Sequence, residues 1–304
     1  MKKIFRFNSI SEFHKFSNLP SPEHPLISLI DYSKVKYEMD DNQLKWIQDF
    51  YSIGLKRNVN AKFNYGQQEY DFDNGILSFI APNQFLKIEI NNEVIVKPTG
   101  FLLLIHPDFI WNTTLTKRIK GYDFFGYAAN EALFLSEKEE NIILNILHTI
   151  QNEYSENIDK FSQNIIVAQL EVLLNYCERF YQRQFFTRKK SNNQLLEKFE
   201  NSLNNYIRED EISINGFPTV LFFANELNIS PNYLGSILKS LTGFNTQQHI
   251  QIKIVEKAKE LLTSTELNVS EIAYQLGFEH PQSFSKLFKN KTSKTPMQYR
   301  QFFN

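Results

Sequence analysis

The side chains that most often carry catalysis or bind metals are few and scattered in this sequence. The histidines are His14, His24, His106, His148, His249 and His280. No two of them are close enough in sequence to predict a metal site, and His106, which stands alone between Ile105 and Pro107, is interpreted as a structural residue and not as a metal ligand. The sequence lacks a Gly-x-Ser-x-Gly nucleophile elbow and a glycine-rich phosphate loop, and its one cysteine, Cys177, has no catalytic context. We therefore expect no metal, no cofactor and no enzymatic activity.

Charge is distributed unevenly along the chain. The 304 residues carry 33 basic and 34 acidic side chains, and this net charge of −1 argues on its own against nucleic-acid binding. However, residues 1–187 hold 19 basic and 23 acidic side chains, whereas residues 188–304 hold 14 and 11. The segment from Pro281 to Asn304 contains five cations and no acid. Because clustered cations are the usual signature of phosphate contacts, this segment predicts DNA binding that weakens as salt increases.

A helical pattern that occurs twice follows residue 215. A helix-turn-helix unit needs a small residue where its helices cross, a residue that tolerates positive φ in the turn, and apolar residues inside the second helix. These positions are filled in order by Ala224, Asn228 and Leu234, and again by Ala273, Gly277 and Phe284. The units are predicted at about 219–241 and 269–291, and the second has a turn one residue longer. They align at an offset of 50 residues, with Pro231 matching Pro281, so we predict a tandem motif.

The stretch between the two units predicts one long helix over 246–263, with Ile250, Ile254 and Leu261 on one side. At ~1.5 Å per residue this helix spans ~27 Å. One turn of B-DNA measures ~34 Å, so the helix could hold two recognition helices in successive major grooves. The C-terminal domain is therefore predicted to be all-α.

The second unit carries the motifs of a known family. From about Leu195 to Asn304, a third of the chain, the sequence resembles the AraC/XylS-type transcriptional regulators. The motifs are VSEIA at 269–273, GF at 277–278, FSKLFK at 284–289 and TPMQYR at 295–300. Ser293 departs from the glycine usual in the family, and the stretch Glu211 to Pro218 is longer than usual and is expected to be a loop. The resemblance implies a sequence-specific DNA-binding regulator.

The family's recognition helices, carried over by position, imply which residues face double-stranded DNA. Base contacts are implied for Asn232, Gly235 and Ser236 in the first helix and for Gln282, Ser283, Ser285 and Lys286 in the second. Phosphate contacts are implied for Ser230, Lys239, His280, Lys289 and Arg300, with an exposed capping role as the alternative for His280. Glutamine can bond adenine twice and lysine can reach guanine, whereas glycine and serine are short. We therefore expect the second unit to discriminate sequence more than the first. Core positions are predicted for Tyr233, Leu234, Phe284 and Phe288.

The front of the chain shows a β pattern. Short apolar and aromatic runs such as 26–30, 77–80 and 101–105 are bounded by turn signals such as Asp73-Asn74-Gly75. They predict an all-β sandwich or small barrel over about 25–130. Residues 75–82 look like a strand of the cupin-like sensor domain found in many AraC/XylS-type regulators. This resemblance implies a cupin-like barrel, whose aromatic content would suit an apolar pocket for a small-molecule effector.

Helical spacing replaces the β pattern after residue 135. Ser136 and Glu139 predict a capping box, and a second helix from about Asp159 carries an apolar seam. The seam consists of Ile166, Leu170, Leu173, Cys177 and Phe180. It predicts a helical hairpin over 136–186 that either packs on its own barrel or, as the resemblance favours, also forms a homodimer.

The polar stretch Thr187 to Asn193 predicts a solvated linker between two domains, 1–187 and 188–304. No window approaches the length of a membrane span, and no apolar run follows the first charges, so we expect a cytoplasmic bacterial protein that does not bind membranes. Three roles stay open for the front domain: an effector sensor, a module that only dimerises, or a cupin-type enzyme fused to a DNA-binding tail. RNA polymerase is a further candidate partner.

Overall fold

The chain divides into two units, Met1–Thr187 and Arg188–Asn304, in the computed structural model of the protein. The structure describes residues 4–35, 43–57, 75–89, 99–127, 131–156, 158–208, 212 and 215–303. Of the predicted turns, Asp73-Asn74 lies outside this described part.

Two β-sheets form the front of the first unit. The strands are β1 (Phe5–Phe7), β2 (Ile27–Asp31), β3 (Gln43–Gln48), β4 (Tyr51–Arg57), β5 (Gly75–Ile80), β6 (Phe85–Glu89), β7 (Thr99–Ile105) and β8 (Leu133–Leu135). One sheet has the order β1-β3-β6 and the other the order β2-β7-β4-β5-β8. The second sheet is antiparallel throughout, and β5 shows the alternation that the sequence predicts, with Leu77 and Phe79 buried. The β-rich expectation is confirmed, and closure into a cupin-like barrel stays a prediction.

Structure in the first unit begins before the predicted β segment. Strand β1 pairs in parallel with β3, and helix α1 (Ile10–Phe16) follows it, capped by Ser9. An apolar cluster joins α1 to both sheets and contains Phe7, Ile10, Phe13, Ile30, Trp46, Phe50, Leu102 and Leu104. The all-β prediction is wrong for 107–126, where four short helical segments occur, among them α2 (Leu115–Arg118). Pro107 favours this change, because proline suits the first position of a helix and cannot donate to a β ladder.

The predicted helical hairpin consists of α3 (Glu137–Ser155) and α4 (Ser162–Thr187). The capping box is present: Ser136 Oγ accepts from Glu139 N, and the Glu139 carboxylate accepts from Ser136 N. The whole predicted seam of α4 is buried, and α4 packs against α3 and β8. The seam is therefore used within a single chain, as the first of the two sequence interpretations has it.

The second unit is helical. Its helices are α5 (Lys189–Arg208), α6 (Val220–Glu226), α7 (Pro231–Thr242), α8 (Thr246–Ser264), α9 (Val269–Gln275), α10 (Pro281–Thr292) and α11 (Pro296–Phe303). Of the predicted loop 211–218, Ile212 and Asn215 are helical, Gly216 to Pro218 are not, and residues 211, 213 and 214 lie outside the described part.

The predicted solvated linker at 187–193 is wrong. Arg188 alone separates α4 from α5, and Asn192 is buried in the first turns of α5. Lysine and glutamine are good helix formers, and the apolar residues that follow, Phe199 and Leu203, bury one face of the helix. A short polar run at the start of an amphipathic helix thus resembles a linker in sequence.

Candidate DNA interface

The first helix-turn-helix consists of α6 and α7, held by a buried contact at the crossing of the two helices. Phe223 and Ala224 are fully buried there, and Ile229 N donates to Ala224 O at 3.0 Å, which fixes the turn. Asn228 has a φ of 56°, so asparagine supplies the left-handed conformation as predicted. The turn therefore sets the direction in which α7 leaves.

The first recognition helix, α7, presents a mostly uncharged surface. Asn232 and Lys239 are exposed, whereas Gly235 and Ser236 are half-buried. Ser230 caps the helix, its Oγ accepting from Tyr233 N at 3.1 Å. This capping bond fixes the Ser230 hydroxyl at the helix N-terminus, where backbone N–H groups also favour an anion.

The second helix-turn-helix repeats this arrangement in α9 and α10. Ile272 and Ala273 are fully buried at the crossing, and Phe278 N donates to Ala273 O at 3.0 Å. Gly277 has a φ of 77°, and a Cβ at this position would lie 2.5 Å from Phe217 N. Glycine is therefore required here for two reasons: its backbone conformation, and the close approach of the segment that precedes the first helix-turn-helix.

The second recognition helix, α10, presents a basic surface. Four of its predicted contact residues, Gln282, Ser283, Lys286 and Lys289, are exposed, and Ser285 is half-buried. His280 occupies the N-cap position and is exposed, but its side chain makes no capping hydrogen bond. The imidazole is therefore not held by the helix terminus that it precedes.

Arg300 is placed differently from the other predicted phosphate contacts. Its Nε donates to Leu262 O at 3.0 Å, and a terminal nitrogen lies 3.5 Å from Thr265 O. These carbonyls lie at the C-terminal end of α8, where a cation is favourable. Arg300 thus fastens α11 to the end of α8, a role that its place in the sequence motif does not indicate.

One apolar core serves both helix-turn-helix motifs. It contains Phe223, Ala224, Leu234 and Leu238 from the first motif and Ile272, Ala273, Phe284 and Phe288 from the second, together with residues of α5 and α8. Tyr233, Leu234, Phe284 and Phe288 are buried, as the sequence predicts. Helix α8 contacts α7, α9, α10 and α11, so both recognition helices rest on the same rigid element. This arrangement defines a tandem helix-turn-helix domain.

The part of the chain that the structure describes holds neither a metal-ligand cluster nor a reactive cysteine. Among those residues, no set of three or more histidine, cysteine, aspartate or glutamate side chains could hold a metal ion. Burial strongly raises the pKa of the Cys177 thiol, which keeps it protonated and a poor nucleophile. In the same described ranges, no helix is both long and apolar enough to cross a membrane.

Comparison with known proteins places the C-terminal unit, Arg188–Asn304, in a family. Residues 223–301 match the model of a helix-turn-helix domain family. The chain is 38% identical over 94 residues to histidine kinase P4 of Formosa agariphila, covering 31% of this chain and 7% of the kinase. It is 28% identical over 159 residues to YijO, an uncharacterised HTH-type transcriptional regulator of Escherichia coli, covering 52% of each. The chain thus spans about half of YijO and a small part of the kinase.

A solved structure is also similar to this segment. The C-terminal domain of AraT, a response regulator from Geobacillus stearothermophilus, is 30% identical, with a TM-score of 0.31, and the match covers 36% of this chain and 84% of that domain. The resemblance drawn from the sequence motifs is confirmed: the C-terminal unit is an AraC-type helix-turn-helix domain.

Proposed function

We propose that this protein is a sequence-specific, DNA-binding transcriptional regulator whose front unit senses a small molecule and forms a homodimer. The observation that carries the proposal is the pair of recognition helices on one core, with the predicted contact residues Asn232, Gln282 and Lys286 exposed. YijO, which covers half of the chain, is described as a transcriptional regulator, and this supports the same role here.

Base contacts are assigned to exposed or half-buried positions of the two recognition helices. These positions are Asn232, Gly235, Ser236, Gln282, Ser283, Ser285 and Lys286. Gln282 can bond adenine twice and Lys286 can reach guanine, whereas the first helix offers Asn232 as its one long amide. The second helix therefore carries most of the sequence discrimination.

Phosphate contacts are assigned to Lys239, His280 and Lys289, which are exposed, and to the capped N-terminus at Ser230. Arg300 contributes chiefly by fastening α11 to α8, since its guanidinium already bonds two carbonyls. Phosphate contacts fix the register of the protein on DNA and give binding its salt dependence.

Helix α8 sets the separation of the two recognition helices. Its 19 residues correspond to ~28 Å of helix, close to the ~34 Å turn of B-DNA. A single domain then contacts two successive major grooves, and a dimer contacts four.

Dimerisation is assigned to a stripe on the hairpin that the chain leaves uncovered. Ile165 and Val172 lie on one side of α4, and Phe161, directly before the helix, continues their helical spacing; each of the three is at least 41% exposed. Ile158, further before the helix, extends the stripe. A solvent-exposed apolar stripe of this length favours a self-complementary contact between two copies.

The DNA-binding part is tested by footprinting purified protein on the regions that flank its own gene. Two protected segments about one helical turn apart would support the tandem assignment. Lys289→Ala should lower the slope of log affinity against log salt by about 0.9, the value for one lost phosphate contact. Lys138→Ala, at an exposed position of α3, is the matched control and should leave the slope unchanged. Finding no specific site would refute the proposal.

The dimer is tested separately by sedimentation of the full chain. Ile165→Lys should convert a dimer to a monomer, whereas Asn164→Lys, exposed beside the stripe, should not. If both variants remain dimeric, the contact lies elsewhere, and if wild-type protein is monomeric the stripe has another partner. Turnover of a small molecule by the front unit would instead favour the cupin-type enzyme.

A further inference from the structure

A cavity of about 320 Å³ lies at the free edge of β2 in the first unit. Its walls come from three places: the connection between α1 and β2, the edge of β2 itself, and the C-terminal part of α3. The volume is within the range of small-molecule sites. The cavity is thus distinct from the apolar barrel interior that the sequence suggests for an effector.

The walls are fixed by hydrogen bonds between these three elements. His14 uses both ring nitrogens, with Nδ1 2.6 Å from Pro20 O and Nε2 3.0 Å from Ser28 Oγ, which ties the connection to β2. Ser155 Oγ donates to the Glu23 carboxylate, which ties the connection to α3. The cavity is therefore preformed, so a ligand would lose little affinity to ordering the protein.

Tyr154 supplies a buried hydroxyl in this cavity. Strand β2 is the outer strand of its sheet, and Leu29 N donates to the Tyr154 hydroxyl at 2.8 Å in place of a neighbouring strand. Burial raises the pKa of Tyr154, so the phenol keeps its proton. Among the described residues that proton has no acceptor, which leaves it available to a bound molecule.

Charged groups of both signs line the same cavity. Glu23 and Asp31 are acidic, and Lys34, exposed at one side, is basic. Asp31 Oδ1 accepts from Ser33 N at 2.9 Å, and the other carboxylate oxygen has no bond to any described residue. Leu29, Ile30 and Phe101 also line the cavity. A ligand that matches this lining carries an ammonium, a carboxylate and a small apolar part.

We propose that this cavity binds a small zwitterion of the amino-acid class, with its ammonium between Glu23 and Asp31 and its carboxylate toward Lys34. The Tyr154 hydroxyl and the Gln151 amide complete its hydrogen bonds. As an effector site the cavity rests on the function proposed above. Because Gln151 and Tyr154 belong to α3, and α3 packs on α4, a bound zwitterion would stabilise the hairpin that carries the exposed stripe.

The experiment is a thermal-shift screen of the full chain with the common amino acids, followed by calorimetry on those that stabilise it. The probes include, for each amino acid that binds, the amine without its carboxylate, the acid without its ammonium, and a neutral monosaccharide. An amino acid should raise the melting temperature by several degrees, and both single-charge analogues should bind at least tenfold more weakly. No stabilisation by any amino acid, or equal binding of the neutral sugar, would overturn the proposal.

Two substitutions locate the binding. Asp31→Asn, which keeps the bond from Ser33 N, and Lys34→Gln should each weaken amino-acid binding at least tenfold. Glu137→Gln and Lys138→Gln, at exposed positions of α3, are matched controls and should have no effect. Unchanged affinity in Asp31→Asn and Lys34→Gln would place the ligand elsewhere. Footprinting of the same variants separates DNA binding from ligand binding. Variants that protect DNA but no longer bind the amino acid would support both proposals. A wild-type protein that binds the amino acid but protects no DNA would refute only the proposed regulatory function.

Discussion

The two helix-turn-helix units share one plan but hold their turns in different ways. In the first helix-turn-helix the turn residue Asn228 is exposed, and only its backbone conformation is unusual, with a φ of 56°. In the second helix-turn-helix Gly277 lies against Phe217, and the rings of Phe217 and Phe278 lie 4.8 Å apart. The second turn is thus packed against the segment that precedes the first motif, whereas the first turn is a local feature.

The recognition helices differ in charge as well. Helix α7 carries one lysine, Lys239, whereas α10 carries Lys286, Lys289 and Lys291 and no acid. In the proposed complex with DNA, the second helix-turn-helix supplies more of the electrostatic attraction than the first. The two helix-turn-helix motifs are not independent, because both pack on the same core.

The largest effect is expected from a charge at either helix crossing. Ala273→Asp and Ala224→Asp each place an unpaired carboxylate at a fully buried position, which should cost about 4 kcal/mol or more and abolish DNA binding. Because the core is shared, the two substitutions should unfold the whole C-terminal unit, Arg188–Asn304, alike. Retained DNA binding by one helix-turn-helix in either variant would show that the two motifs fold separately.

The two tryptophans make this measurement selective. Trp46 and Trp111 both lie in the first unit, so tryptophan fluorescence in urea reports that unit alone. Helical circular dichroism should fall in both aspartate variants while the fluorescence transition stays unchanged. A shifted fluorescence transition would mean that the two units are energetically coupled.

The next effect separates the two turns. Gly277→Ala should destabilise the C-terminal unit by about 3 kcal/mol, because it adds a backbone clash to an unfavourable φ. Asn228→Ala should cost about 1 kcal/mol, since only the left-handed conformation is affected. Urea unfolding followed by circular dichroism measures both. Equal costs would show that the segment around Phe217 yields easily, which would remove the distinction between the turns.

The C-terminal unit could be predicted from the sequence because its helices and turns are determined by residues close together in the chain. Ala273, Gly277 and Phe284 stand at fixed spacing, so helix, turn and helix follow from short-range rules, and a repeat at a constant offset strengthens each of them. What the spacing could not predict is contact between distant residues. The approach of Phe217 to Gly277 and the bonds from Arg300 to the end of α8 join segments 35 or more residues apart.

The N-terminal unit, Met1–Thr187, was harder to predict, because its fold depends on contacts between distant residues. Strand β1 pairs with β3 across about forty residues, and no hydrophobic pattern in Phe5–Phe7 indicates its partner. The seam of α4 could bury itself in its own chain or in a second copy, because periodicity shows which residues are apolar and not what covers them. The cavity beside Tyr154 likewise depends on where α3 meets the edge of β2, and neither segment carries a motif.

Sequence discrimination offers a smaller and more specific test of the comparison. Gln282→Ala should lose about 2 kcal/mol of preference for the correct base, the value for a bidentate contact. Asn232→Ala should lose less, because its neighbours Gly235 and Ser236 contribute little selectivity. Competition binding with operators altered one base pair at a time gives both values. If Asn232→Ala relaxes specificity more than Gln282→Ala, the assignment of sequence discrimination to the second helix-turn-helix is wrong.

The smallest expected effect concerns the ends of the recognition helices. Both end in a left-handed residue, Gly243 with a φ of 81° after α7 and Ser293 with a φ of 63° after α10. Glycine adopts this conformation without the steric cost that a Cβ imposes, so Ser293→Gly should stabilise the second unit by about 1 kcal/mol. Gly243→Ser should destabilise it by about the same amount, because open space surrounds Gly243 and the backbone conformation alone is tested. DNA affinity should change little in either variant, and unfolding in urea measures the effect. A loss of stability in Ser293→Gly would mean that the serine side chain contributes a contact that outweighs its strained backbone, and the two helix ends would then differ in kind.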